Sequence, residues 1–186
     1  RVLCVAGLKR IKQGTRIGLK SLAQISRIDL KKIDSDDVSF KIVPKINAAG
    51  RISHARICVS QLMATDIGNA ERTASLLNNL NTKRQKIEQK IILDIENRLL
   101  KNPRLLDNKL LFLWDDNWDP SVLGIAASKL SKKYYCPVIL MSCIYEHAIG
   151  SGRSINDINI YKALLDSENL LEKFGGHAMA SGLTVK

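Results

Sequence analysis

Aromatic residues are scarce, two Trp, four Tyr and three Phe among 186 residues, which argues against a broad platform of rings for stacking nucleobases. Cysteine is sparse too. Cys4, Cys58, Cys136 and Cys143 lie far apart with no CxxC pair, so their spacing gives neither a zinc knuckle nor a disulfide framework, and reduced, mostly buried thiols are expected. The longest unbroken apolar run, residues 110–114, falls far short of the roughly 20 residues that a membrane-spanning helix needs. The first residues lack the charged, apolar and small-residue succession of a signal peptide, so no membrane partner is expected and the cytoplasm is the default location. No Walker A loop, GxSxG elbow, HExxH pair or zinc spacing occurs, which removes several common hydrolase chemistries. Internal repeats and low-complexity tracts are absent as well. What remains is a chain with 45% hydrophobic and 25% charged residues, the composition of a folded globular protein with one or two cores.

Charge is abundant and unevenly placed. The net charge is +11. Residues 1–65 carry 13 Lys and Arg against 4 acids, residues 66–108 carry 8 against 6, and residues 109–186 carry 8 against 8. A basic excess confined to the first third suits a polyanion, nucleic acid being the commonest, because each Lys or Arg set on a phosphate releases counterions. A Lys-, Ile- and Asn-rich genome would give the same excess. The chain begins at Arg1 and ends on an expected strand at Lys186, the look of an interior piece of a longer polypeptide.

Apolar spacing predicts two short helices around a turn in residues 1–25, broken near Gly14 and Gly18. Residues 28–43 are polar and irregular, with N-cap chemistry at Asp34 for a short helical turn ahead of Pro44. Residues 47–51 are expected to form a small-residue loop. From residue 65 to 100 apolar positions recur every three or four residues, which predicts one long helix or two nearly continuous ones. Thr65 or Asp66 would cap it, Pro103 would stop it, and Asn78, Asn79 and Asn81 mark the expected break. At about 1.5 Å per residue this element would run about 50 Å, long enough to join two bodies. The remainder alternates: strands at 109–114, 137–142, 148–154 and 180–185, and helices at 121–133, 160–165 and 169–174. An α/β sheet layer is the expected fold class.

Four stretches carry candidate chemistry. In Asn47-Ala48-Ala49-Gly50-Arg51, small residues let a ligand approach the backbone while the Arg fork matches phosphate oxygens; a tight turn with a surface arginine is the plainer alternative. Gly150-Ser151-Gly152-Arg153-Ser154 combines unobstructed backbone with two hydroxyls and a full charge, and serves equally as an anion site or a simple bend. Phe174-Gly175-Gly176-His177 is expected to end a helix with Gly175 as its C′ residue. His177 there could donate to a phosphate, shuttle a proton or simply pack. Asp115, Asp116 and Asp119 cluster around Trp118, where a metal or ordinary turn and N-cap chemistry would each account for them.

In this order the segments KINAAGR, LNNLNTKRQKIE, NWDPSVLGIAASKL, GSGRSI and LLEKFGGHAMASGLTV resemble the RecJ-type single-strand-specific exonucleases of the DHH phosphoesterase superfamily, over essentially the whole chain. The resemblance implies that residues 1–65 are the tail of a DHH domain, residues 66–104 a connecting helix, and residues 105–186 most of a DHH-associated domain, a mixed sheet flanked by helices. It implies stepwise hydrolysis of single-stranded DNA from the 5′ end in DNA repair and recombination. Mg²⁺ or Mn²⁺ would be bound by an upstream DHH domain rather than by this chain, and the implied partners are single-stranded DNA with a 5′ phosphate, that DHH domain and other repair proteins. Arg51, Ser151 and Arg153 would grip the terminal phosphate, with Asn47, Gly152 and Ser154 beside them. Gly175, Gly176 and His177 would lie against the DNA backbone, His177 with a catalytic role. Relatives usually carry histidine where this chain has Asp119. A DHH phosphodiesterase acting on short oligonucleotides or cyclic dinucleotides, and a non-catalytic nucleic-acid-binding module, are the alternatives.

Overall fold

A computed structural model describes residues 2–185. The chain divides into two compact units, the first ending at Gln85 and the second beginning at Lys86. In the first, α1 (Val2–Lys12) and α2 (Ile17–Ile25) are the two expected short helices, with Gly14 at φ +67° in the turn between them. A third short helix, α3 (Ser35–Asp37), starts where Asp34 Oδ1 accepts from the backbone N–H of Asp36 and Asp37 at 2.9 and 2.8 Å, the expected cap.

Residues 47–51 are not a loop. A π-helical turn, Val38–Ile42, follows α3 and leads straight into α4 (Val43–Ile52). Pro44 sits in the first turn of α4, where its missing N–H removes no helical bond, so it opens this helix instead of barring it. Ala48 and Ala49 are fully buried; their small size packs the helix onto the core. The fifth helix, α5 (Arg56–Leu62), crosses α2 at Gly18. A Cβ there would stand 1.6 Å from the Gln61 carbonyl oxygen, and the Gln61 side chain donates to Gly18 O at 2.8 Å.

The helix expected over residues 65–100 is single. α6 (Ile67–Lys101) runs 35 residues, about 52 Å. Asp66 caps it, accepting from Asn69 N at 2.7 Å. It ends two residues before Pro103, which opens a 3₁₀ turn. The asparagines do not break it, because they are bonded within the helix: Asn81 Oδ1 accepts from Arg84 Nε at 3.3 Å, and the Asn78 carbonyl also accepts from Thr82 Oγ1 at 3.1 Å. Its first half lends Ala74 and Leu77 to the core built on Leu22, Ile33 and Ile42. Its second half lends Ile91, Ile95 and Leu99 to the core of the second unit.

That second unit is a five-stranded mixed sheet with flanking helices. Its elements are β1 (Leu111–Trp114), α7 (Pro120–Tyr134), β2 (Val138–Ile144), β3 (His147–Arg153), α8 (Ile160–Leu165), β4 (Lys173–His177) and β5 (Ala180–Val185), with spatial order β1-β2-β3-β5-β4. β1 and β2 are parallel and the other pairs antiparallel. One face packs Leu111, Leu113, Val138 and Leu140 under α7 and the second half of α6, and the other packs Ile139, Met141 and Leu183 under α8. The expected helix at 169–174 is a 3₁₀ turn, Glu168–Leu170, followed by β4. Pairing with β5, Phe174 opposite Leu183 and Gly175 opposite Gly182, overrides the helical spacing of Leu170, Leu171 and Phe174. Gly175 is therefore a strand residue and not a helix cap. Of the four free thiols only Cys58 is buried; Cys136 and Cys143 are half-buried and Cys4 is exposed. Among the described residues no helix is long and apolar enough to cross a membrane.

Candidate nucleic-acid interface

Strand register places most of the expected site residues of the second unit in two adjacent rows. Arg153 on β3 is opposite Ala180 on β5, and Ala180 is opposite His177 on β4. In the neighbouring row of the same face, Ser151 is opposite Gly182 and Gly182 opposite Gly175. Directly paired residues of antiparallel strands project to the same side. The face therefore carries Ser151 and Arg153 along one side and His177 along the other, with a floor of Ala180, Gly182 and Gly175 between. Two strand spacings make that floor about 10 Å wide. Gly175 and Gly182 are exposed, and a Cβ on Gly175 would meet nothing within 4 Å.

Arg153 is half-buried and fixed by its own strand. Its Nη1 donates to Gly152 O at 2.6 Å and to Ser151 Oγ at 3.1 Å. The support beneath is Gly124 of α7, where a Cβ would stand 2.7 Å from Arg153 Nη2 and 2.8 Å from Ser151 Oγ. From the sequence, Gly124 stood only as a position within the helix expected at 121–133. Its one visible signal was a glycine inside an otherwise strong helix.

The β4–β5 hairpin is held at its tip. The Ile160 N–H donates to Ala178 O and the Ser154 N–H to Met179 O, both at 3.0 Å. His177 is exposed, and its Nδ1 accepts from the Met179 N–H at 3.3 Å, which leaves Nε2 as the nitrogen directed away from the turn. Gly176 has φ +143°, and a Cβ there would lie 2.3 Å from Ala180 O and 2.6 Å from Ser181 Cα, so only glycine closes this hairpin.

Three of the expected residues are placed by packing. Gly152 faces the opposite side of the sheet, where a Cβ would meet Ile160 Cδ1 at 2.6 Å. Gly176 shares that side. Ser154 is buried and donates its hydroxyl to Ile158 O at 2.6 Å, closing the turn after β3. In the first unit Asn47 and Arg51 project from α4 four residues apart, on one face. Together with Gly50 and Cys58 they line a shallow depression of about 390 Å³, and Arg51 is exposed and engaged in a contact of its own.

Two of the three aspartates around Trp118, Asp115 and Asp119, act as turn and cap groups. Asp119 Oδ1 accepts from Ser121 N at 2.9 Å and Ser121 Oγ at 2.6 Å, capping α7. Asp115 accepts from Asn117 N at 2.9 Å and pairs with Arg98. These bonds, the Asn117 N–H first, hold its carboxyl below the usual range against the opposing effect of burial. Among the described residues no three His, Cys, Asp or Glu side chains converge as a metal ion would need.

The DHHA1 domain family model matches residues 107–186. The single-stranded-DNA-specific exonuclease RecJ of Bacillus subtilis is 36% identical over the whole of this chain, which covers 24% of that protein. RecJ of Escherichia coli is 34% identical, again over the whole chain and 34% of the relative. Among solved structures, RecJ of Thermus thermophilus in complex with Mg²⁺ superposes with a TM-score of 0.81 at 30% identity, over 97% of this chain and 27% of that one. An exonuclease RecJ bound to manganese gives 0.80 at 31%, over 97% and 44%. The chain thus spans about a quarter to a third of the length of the curated relatives it matches.

Proposed function

We propose that this chain, whose residues 107–186 match the DHHA1 domain family and which is similar throughout to RecJ exonucleases, forms the DNA-gripping part of an enzyme that removes nucleotides from the 5′ end of single-stranded DNA. The observation that carries it is the floor of small residues flanked by Ser151, Arg153 and His177. A sugar–phosphate backbone can lie on Gly175 and Gly182 without meeting a side chain. Arg153, pre-set by Ser151 and Gly152 O, presents a planar guanidinium suited to two phosphate oxygens. His177 stands at the far side with Nε2 available to donate to a phosphate oxygen. Arg51, on α4, is assigned to the terminal 5′ phosphate, with Asn47 beside it. Gly152, Ser154 and Gly176 keep the backbone in place. Contacts of this kind read phosphate and not base, so binding is salt-dependent and nearly indifferent to sequence.

Chemistry needs the remainder of the polypeptide. The Mg²⁺ or Mn²⁺ seen in the solved relatives is assigned, on the family resemblance, to a DHH domain outside this chain. A part in DNA repair and recombination, in the cytoplasm, goes with this reading. The test uses the 186-residue chain with a 5′-phosphorylated oligo-dT and Mg²⁺ or Mn²⁺. Binding without cleavage is expected, with an affinity that falls with salt by a slope of about −0.7 per neutralised phosphate. Absence of any salt-dependent binding overturns the assignment of DNA grip. Metal-dependent turnover that disappears in His177→Ala overturns the division of labour.

A further inference from the structure

The floor of small residues ends at a third row. One step further along the same face, Ile149 on β3 is opposite Thr184 on β5, and Thr184 is opposite Lys173 on β4. Phe174 packs into the core under α8, so its neighbours Lys173 and Gly175 both lie on the other face, with His177. The first two rows hold an alanine and two glycines; the third holds none. Ile149 is 41% exposed, so its side chain stands above the sheet. Both it and Thr184 are β-branched and stiff at χ1, and they do not swing aside as a lysine can. Behind them, His147 Nδ1 meets Glu172 Oε2 at 2.9 Å. His147 opens β3, and Glu172 precedes β4 with its N–H on Thr184 O at 2.9 Å, so this contact runs across the sheet beyond the third row.

Two adjacent sides of the floor are therefore closed. The third row shuts one end, and α7 shuts the β3 side, where Gly124 lies against Arg153 and Ser151. The other two sides are the edge strand β4 and the end where the paired strands stop at Arg153 and His177. A strand running straight through needs two opposite sides open, and each opposite pair has one side shut. Among the side chains at the third row and behind it, Lys173 brings a cation and Glu172 an anion that His147 faces, so neither sign dominates and the obstruction is steric. We propose that Ile149 and Thr184, backed by His147 and Glu172, form an end stop, which makes the floor accept the free end of a single strand and refuse a strand that passes through it. This inference rests on the reading of the face as a DNA grip and adds what selects an end over an interior segment.

Competition anisotropy on the 186-residue chain tests it. The probes are a 5′-hydroxyl linear oligo-dT and a covalently closed circle of the same length, neither of which carries a terminal phosphate. The linear strand is expected to bind several-fold more tightly than the circle. Ile149→Ala combined with Thr184→Ala is expected to raise affinity for the circle to that of the linear strand, while linear affinity holds. Thr184→Val keeps the branch and is expected to keep the preference. Ile149→Ala alone, at an exposed position, is expected to remove part of it, which serves should the double variant melt low. Equal binding of the two probes by the unsubstituted chain overturns the end stop and leaves the DNA reading standing. A preference that survives both alanine variants overturns the assignment to these residues. Absence of salt-dependent binding to either probe overturns the DNA reading itself, and the end stop with it.

Discussion

Arg153 rests on Gly124 so closely that a methyl group at 124 would stand 2.7 Å from its Nη2. The atoms in the way are the far end of the flexible Arg153 side chain and the rotatable Ser151 hydroxyl at 2.8 Å, so Gly124→Ala displaces the guanidinium and turns the hydroxyl without breaking the fold. Alanine also gains about 0.5–1 kcal/mol over glycine inside a helix. The expected outcome is a melting temperature equal to or above that of the unsubstituted chain, with affinity for a 5′-phosphorylated single strand reduced about tenfold, which is about 1.4 kcal/mol. Anisotropy titration with a labelled oligonucleotide checks it. A variant that melts lower yet binds normally would show that Gly124 serves packing alone.

Arg51, in the first unit, and Arg153, in the second, are each proposed separately as a contact to the 5′ phosphate of single-stranded DNA. A charge-assisted hydrogen bond contributes about 1.5–3 kcal/mol, so alanine at either position costs roughly 10- to 150-fold in binding. The loss is confined to 5′-phosphorylated ends and is small for 5′-hydroxyl ends. Lysine at either position recovers only part of it, because an ammonium cannot reproduce the planar fork. Parallel titrations with the two oligonucleotides decide the matter, and equal losses on both would return these residues to general backbone contact.

Much of this was legible before the structure. Periodicity gave α1, α2, α6, α7 and α8, and short polar side chains ahead of an apolar run marked the caps at Asp34, Asp66 and Asp119. The misses share one cause: the deciding partner lies far away in sequence. Residues 47–51 read as a loop because they are small, yet burial of Ala48 and Ala49 holds them helical. Residues 169–174 have helical spacing, yet pairing with β5 makes the last of them a strand. The site followed the same rule. Glycines were visible as a class, but whether each one faces open space, like Gly175, or a packed neighbour, like Gly152 against Ile160 and Gly124 against Arg153, depends on register that no local pattern encodes.

Lys45, inside KINAAGR, is 8% exposed, and its ammonium donates to the Lys41 carbonyl at 2.8 Å. Burial pulls its pKa below 10.5. Between the folded value and 10.5 the unfolded chain binds more protons than the folded one, so this group makes stability rise with pH across that window and weighs against folding below it. Lys45→Met, similar in length and uncharged, is expected to raise the urea midpoint at pH 7, with the advantage shrinking as pH climbs toward 10. A variant less stable than the unsubstituted chain at pH 7 would mean that the Lys41 carbonyl bond outweighs the cost of the buried charge.

The β4–β5 hairpin separates folding from binding at three neighbouring positions. Gly176→Ala forces a Cβ to within 2.3 Å of the Ala180 carbonyl oxygen at φ +143°; strain of this kind costs about 1–3 kcal/mol or more, and the melting temperature falls. Gly175→Ala meets nothing within 4 Å, so the fold is untouched and any loss of single-strand affinity reports a backbone lying directly on the floor. His177→Ala removes an exposed side chain whose contact within the chain is the weak bond from Met179 N, so stability holds within about 0.5 kcal/mol. In the polypeptide at the full length of its relatives, the same substitution is expected to lower kcat by about 10²- to 10³-fold, as for loss of one transition-state donor, with DNA affinity nearly unchanged. Thermal melts, single-strand affinity and single-turnover rates on the three variants check the set. If Gly175→Ala binds normally and His177→Ala turns over normally per folded molecule, DNA does not lie across the row of Arg153, Ala180 and His177, and the face has another use.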